Sequence, residues 1–430
     1  MFARRLLAAP ATRALKGRSP LGRTPLPLAL RLSVRSLATA ESIIHKSPHT
    51  EIDIPKLTIW DIVENQAHKN GDKTAFICGL KHDRVTFREL YEGAKRVAVA
   101  LASDGIKKGD VSTVAVILHS FNCMEYPTVV LALTSLGAIC SPASPMFLPN
   151  ELALQAKESK VQCPARYIIT HKELEKVALD AAKLTGIDKK AVYTMGESAQ
   201  SHEALTSIND LAKRDFDSFT FEKIDPELNV LLPFSSGTTG VPKRFVFVAT
   251  HLGRSIWQGV ALSARNMVSN ALQVHHVEDL GGHSLGLLPF FHIYGMMLMH
   301  LSMWQGAAKV ILPRFEPESF LNALETYKVR MNRDWLSGAH GSHNEPPATL
   351  AKTIRAAHIA PPVALFLAHH PMVEKYDLSA TEFLVSGGAP MGKEVEGLVK
   401  DRLKVTVKQA YGMTEASPAV NYTEDKNRKP

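Results

Sequence analysis

Three apolar runs in this chain stop abruptly in small and polar residues. Leu228–Phe234 empties into SSGTTGVPK, Thr381–Ser386 into GGAP, and Val405–Gln409 into AYGMTEAS. Between Ile54 and the end, such runs alternate with longer stretches whose apolar residues recur at helical spacing. Thr86 is placed to cap a helix that Gly105 and Gly109 bring to a stop, and Val111–Leu118 follows as a strand. CMEYPTVVLALTSLGAICSPAS reads as a helix ending at Gly137 and then a strand, and ARYIITH as the next strand. Strand, helix, strand in this rhythm predicts right-handed crossovers and a largely parallel α/β sheet. Loops at the carboxyl ends of such strands converge into the crevice where ligands bind, so three junctions of one kind predict one site.

The first junction indicates what the site holds. Gly237 and Gly240 let backbone N–H groups close around a phosphate, because no Cβ obstructs the approach. Ser235, Ser236, Thr238 and Thr239 add hydroxyl donors, and Lys243 adds a mobile positive charge. The run predicts a polyphosphate ligand. It is not the Gly-x-x-x-x-Gly-Lys-Ser/Thr loop, since Pro242 precedes the lysine and Arg244 follows it.

The formal net charge of +8 suggests nucleic acid until it is located. Arg4, Arg5, Arg13, Lys16, Arg18, Arg23, Arg31 and Arg35 account for all of it, and no acid occurs before Glu41. The basicity therefore belongs to residues 1–40, which are acid-free, rich in Ser and Ala and interrupted by prolines, as mitochondrial transit peptides are. A mitochondrial destination follows as the expectation, with a peroxisomal or cytoplasmic one as the alternative and no nucleic-acid partner. No apolar run of about eighteen residues is present, which predicts no membrane-spanning helix. Cys78, Cys123, Cys140 and Cys163 form no Cys-x-x-Cys pair and read as buried thiols. His275, His276 and His283 lack a completing carboxylate or cysteine, so no metal is expected there.

SSGTTGVPK, FFHIYGM, LVSGGAP and QAYGMTEAS, in this order, resemble the signature segments of the adenylate-forming enzymes, a family that includes acyl-CoA synthetases, coumarate-CoA ligases and beetle luciferases. The resemblance covers Thr58 to Pro430 and leans toward coumarate-CoA ligase-like proteins. It implies the family's N-terminal domain, with two parallel-rich α/β subdomains and a partial β-barrel. It also implies a two-step reaction: a hydrophobic carboxylic acid attacks ATP to form an acyl-adenylate, and the thiol of CoA then takes the acyl group.

Carried over by position, Ser235, Ser236, Gly237, Thr238, Thr239, Gly240 and Lys243 would hold the β- and γ-phosphates, Thr414 the α-phosphate, and Glu415 magnesium. Tyr411 would stack on adenine while Gly387, Gly388, Ala389 and Pro390 lie along the base. His292 would sit at the carboxylate, Tyr294, Gly295, Met296 and Leu298 would line an apolar acyl pocket, and Gln409 and Gly412 would close its other wall. Simpler roles stand beside these: His292 as a core histidine, Tyr411 as a packed aromatic, Glu415 as an acid at a helix start.

Three departures from the family pattern stand out. Residues 244–258 intervene directly behind the phosphate lysine, and about 330–354 form a second surplus, polar and without periodicity. Both read as retained intron sequence, with a genuine pair of surface loops, permitted at modest entropic cost, as the rival reading. The chain also stops before the family's ribose-binding aspartate and its small C-terminal domain, which carries the adenylation lysine. The expected outcome is a ligase by family and, as the alternative, a truncated inactive chain that keeps at most nucleotide or acyl binding.

Overall fold

The computed structural model describes residues 47–106, 115–159, 165–196, 205–214, 219–235, 259–280, 282–327 and 354–423. Internal contacts divide the chain between Glu51 and Ile52, and every named element belongs to the second unit. Residues 47–51, the described part of the first, form no helix or strand.

Two sheets organise the second unit. One has seven strands in the order β7-β6-β5-β3-β4-β8-β9: β3 (Ala115–His119), β4 (Ile139–Ala143), β5 (Ala165–His171), β6 (Val192–Met195), β7 (Thr206–Ser207), β8 (Asn229–Leu231) and β9 (Leu262–Ser263). The other has eight, in the order β15-β14-β13-β12-β10-β11-β1-β2: β1 (Thr74–Cys78), β2 (Arg84–Thr86), β10 (His283–Gly286), β11 (Ala308–Ile311), β12 (Ile354–Ile359), β13 (Phe383–Ser386), β14 (Thr406–Gly412) and β15 (Ala419–Tyr422). All neighbours run parallel except β8–β9, β1–β2 and β14–β15. No closed barrel occurs among the described residues; near the end of the described chain they form the antiparallel β14–β15 pair.

Local chemistry explains the elements. The central strand β3 is buried at all five positions, as expected of a parallel strand with both faces covered. Helix α1 (Ile59–Asn70) starts at a capping box between Thr58 and Asp61. In α2 (Phe87–Ser103) the same device appears: Thr86 Oγ1 accepts from the Glu89 N–H at 3.2 Å while Glu89 Oε2 accepts from the Thr86 N–H at 2.8 Å. Helix α3 (Glu125–Ser135) follows β3, and α4 (Pro149–Glu158), α5 (Glu175–Thr185) and α6 (Ile208–Leu211) continue the first sheet. Helices α7 (Ala264–Val277), α8 (Ile293–Gln305), α9 (Pro317–Thr326), α10 (Pro361–His369) and α11 (Lys393–Leu403) serve the second.

One core spans both sheets. Tyr126 of α3 and Phe290, in the loop before α8, are fully buried with their ring centroids 5.6 Å apart. Cys140 is buried, and burial pushes its thiol up to about 12; Cys78 and Cys123 are half-buried, and all three thiols are free. Cys163 lies outside the described residues.

Strand β14 corrects one expectation. The sequence predicts a loop from Ala410, but the strand continues through Gly412 because β15 returns alongside it and pairs Ala410 with Tyr422, Tyr411 with Asn421 and Gly412 with Ala419.

Candidate active site

Three of the expected segments meet at one cleft of about 170 Å³. Ser235 arrives from the end of the β8 run, where Phe234 bridges to Gly259. His292 and Ile293 arrive at the start of α8, and Thr414 in the turn after β14. Phe147, Phe234 and Phe291 supply apolar walls, and Ser144 and Gln155 complete the side nearest α4.

His292 is the N-cap of α8, and its Nδ1 accepts from the Tyr294 N–H at 3.3 Å. An accepting Nδ1 places the ring proton on Nε2. The protein packed around the cleft displaces enough water to hold this imidazole below its ordinary pKa, although part of the ring stays accessible. His292 is thus set up as a neutral polar group at the end of a helix whose first N–H groups face outward.

The helix start is shaped by close approach. A Cβ on Gly295 would lie 2.2 Å from the Pro289 carbonyl oxygen, so only glycine lets the first turn rest on that carbonyl. A Cβ on Gly387 would lie 2.7 Å from Cε1 of Tyr294, so the LVSGGAP loop packs its backbone directly on the tyrosine ring. Gly388, Ala389 and Pro390 are exposed beyond it. Tyr411 is 59% exposed, with its backbone held by β15 and its ring free to meet a flat ligand. Glu415 is exposed beside the buried Thr414.

Of the expected site residues that are described, Ser235, His292 and Thr414 line this cleft, whereas Tyr294, Gly295, Met296, Leu298, Gln409, Tyr411, Gly412, Glu415 and the 387–390 loop are not in its lining. Gln409 donates its amide to Glu396 of α11 at 2.8 Å, on the strand face that Val405 and Val407 share. Leu298 is 2% exposed and packs with Val274, Leu280, Met297 and Leu301; Met296 is fully buried in the main core. Gly412 pairs with Ala419 across the β14–β15 ladder. Ser236, Gly237, Thr238, Thr239, Gly240 and Lys243 lie outside the described residues, as do residues 1–40, 244–258 and 330–353.

Behind Tyr294 lies a buried polar cluster that the sequence reading did not single out. His358 of β12 and Glu278, at the end of α7, pair at 3.2 Å with both side chains almost wholly buried. The Tyr422 hydroxyl donates to Glu278 Oε2 and lies 2.8 Å from His358 Nε2. Tyr294 meets the His358 ring edge-on at 6.0 Å, yet its own hydroxyl is buried without a partner among the described residues. Burial, followed by the negative Glu278 nearby, pushes that hydroxyl's pKa well up. Lys309 of β11 is also buried, donates to Ser284 Oγ at 2.8 Å, and is brought down to about 7 chiefly by burial. Single residues this far apart in the chain give no sequence signal that they will meet.

Residues 63–332 and 341–430 match the family described as AMP-binding enzyme. The chain is 31% identical over 392 residues to "Probable 4-coumarate--CoA ligase 1" of Dictyostelium discoideum, covering 87% of this chain and 62% of that protein. It is 32% identical over 391 residues to "4-coumarate--CoA ligase 2" of Oryza sativa subsp. japonica, covering 88% and 61%. A long-chain-fatty-acid-CoA ligase of Archaeoglobus fulgidus superposes with a TM-score of 0.69 at 22% identity, over 89% of this chain and 69% of that one, a likeness of fold. The chain spans about three fifths of the length of the relatives it matches.

Proposed function

Because the chain belongs to the AMP-binding enzyme family, we propose that its cleft binds ATP and a hydrophobic carboxylic acid, and that it serves an acid-CoA ligase of the 4-coumarate-CoA ligase type. The observation that carries the proposal is the convergence of Ser235, His292 and Thr414, from three separate strand-to-loop junctions, on one cleft.

The described residues suit these ligands. The exposed Tyr411 ring offers a stacking face for adenine beside the bare backbone of the 387–390 loop. Thr414 lines the cleft, and its hydroxyl would meet the α-phosphate. Neutral His292 suits a site where a carboxylate must approach phosphorus, because it can donate from Nε2 without forming a tight ion pair with the acid. Two anions that repel in water must be held in line, and alignment of this kind is what a fixed cleft contributes. In the reaction proposed here the acid oxygen attacks the α-phosphorus, pyrophosphate leaves, and the CoA thiol then displaces AMP from the acyl carbonyl.

Glu415 is an exposed carboxylate that would hold magnesium accompanying ATP, and the ion would neutralise phosphate charge. Residues 1–40 support a mitochondrial destination by their basic, acid-free composition. Their fusion to a fluorescent reporter, with and without Arg4 and Arg5, tests it. We also read 244–258 and 330–354 as insertions into the AMP-binding domain.

Calorimetric titration of the chain with AMP and with ATP plus magnesium tests the central reading, followed by pyrophosphate release with cinnamic, coumaric and medium-chain acids. Saturable nucleotide binding that Thr414→Val weakens is expected. No binding of either nucleotide refutes the proposal, and binding without turnover favours a nucleotide- or acyl-binding chain.

A further inference from the structure

A residue in the connection that leads into α3 reaches across to the site. Asn122 lies in the connection between β3 and α3, on the seven-stranded sheet, and is 2% exposed. Its Nδ2 donates to the carbonyl oxygens of Gly286 and Leu288, each at 3.1 Å, and its Oδ1 accepts from the Phe290 N–H at 2.7 Å. All three partners lie in one stretch of the other sheet, between the end of β10 and the start of α8. Both amide hydrogens are used, and the Phe290 N–H fixes which end of the amide is oxygen.

We infer that Asn122 is a positioning residue, a latch that holds the 286–292 loop so that His292 stands at the cleft. Past Gly286 the loop leaves the ladder, and buried backbone groups there need a partner. Asn122 satisfies two of them, the Leu288 carbonyl and the Phe290 N–H, and anchors to the last ladder carbonyl, that of Gly286, which also accepts from the Leu312 N–H at 3.2 Å. From the other side, Gly295 accepts the Pro289 carbonyl against its bare Cα, and the His292 N–H donates to that same carbonyl at 3.1 Å. The segment from Pro289 to His292 is therefore gripped between a side chain of one sheet and a helix of the other. The catalytic relevance of the latch rests on the proposal that His292 meets the acid's carboxylate.

Hydrogen exchange on the full chain tests the latch without any substitution. The Phe290 amide, although in a loop, is expected to exchange at least about a hundredfold more slowly than an unprotected amide; exchange at the unprotected rate overturns the inference. Asn122→Ala and the milder Asn122→Ser then separate positioning from general support. The probes are AMP and 5′-O-(N-cinnamoylsulfamoyl)adenosine, which mimics an acyl-adenylate. Both variants are expected to lose at least about tenfold in affinity for the acyl probe and less than about threefold for AMP. A similar loss for both probes, or for neither, overturns the inference.

In a His292→Ala background the Asn122 substitutions are expected to cost no further selectivity between the probes, and an undiminished effect there would show that Asn122 acts by another route. If the unsubstituted chain binds neither probe, the proposed function fails. The latch is then decided by Phe290 exchange and by the His292 ring resonance, which moves in Asn122→Ser if the latch holds and stays in place if it does not.

Discussion

Replacing Tyr294 with phenylalanine should make the protein more stable. The tyrosine hydroxyl is buried and has no hydrogen-bond partner among the described residues, a situation that costs about 1–3 kcal/mol in a folded protein. The ring earns its place separately, against the Gly387 backbone, the edge of His358 and the small core around Val274 and Met297. Tyr294→Phe keeps those contacts and removes only the stranded oxygen. A gain of about 1–2 kcal/mol is expected, with some of the full cost lost to imperfect repacking. The assay is the urea midpoint at unchanged slope, or a thermal midpoint raised by a few degrees. A loss greater than about 0.5 kcal/mol would refute the reasoning, because it would mean the hydroxyl is bonded in the folded protein. If the hydroxyl instead meets the bound acid, the same variant binds the cinnamoyl probe less tightly while its unliganded fold is firmer. The two effects then have opposite signs.

Gly295→Ala is expected to destabilise by about 1–3 kcal/mol, since a Cβ at 2.2 Å from the Pro289 carbonyl must push the helix start away, and the roughly 1 kcal/mol of helix propensity that alanine brings does not cover that. Chemical denaturation checks it, and a neutral result would mean that the loop and α8 separate freely. Lys309→Met tests the buried amine. An unfolded lysine keeps its proton to about 10.4, whereas Lys309 gives its own up near 7, so between those values the unfolded chain binds more protons and rising pH favours the fold. The stability of the wild type minus that of Lys309→Met should therefore be flat below about pH 7 and climb above it by up to about 1.4 kcal/mol per pH unit. A flat difference across that range would show that Lys309 stays charged when buried.

What the sequence showed and what it hid divides along contact distance. The Thr86–Glu89 capping box spans three residues and the ARYIITH strand is one continuous apolar run, so both were legible, and β5 occupies Ala165–His171 as read. Of the three junctions read as meeting, the first and the third reach the cleft through Ser235 and Thr414, as parallel sheets bring strand ends together, whereas the GGAP loop is not in its lining and His292 was placed there by the family resemblance. The extension of β14 was not, because the partner that makes it a strand returns only at Ala419. Leu298 lies on the helix that carries His292 and is buried in one cluster with Tyr294 and Val274 of α7, and register along a helix does not foretell which neighbour will cover it. Asn122 and the Glu278–His358–Tyr422 cluster are single polar residues in unremarkable surroundings. Their roles exist only once segments far apart in the chain are adjacent.

The order of strands along the chain has a kinetic consequence. β1 and β2 open the eight-stranded sheet, then the whole seven-stranded sheet is laid down, and only afterwards does β11 arrive to pair Phe76 with Lys309, more than two hundred residues later. The interposed sheet draws all its strands from residues made before β10, with β3 joined to β4 by one short crossover, and can assemble while the ribosome is still working. The β1–β2 hairpin cannot finish: it must wait, with an apolar strand edge open, until that large loop has closed. During synthesis the first strand made is among the last to be secured, and a nascent chain halted before Ala308 carries Ala75, Phe76 and Ile77 as an unpaired edge for chaperones, or for another copy of itself, to find.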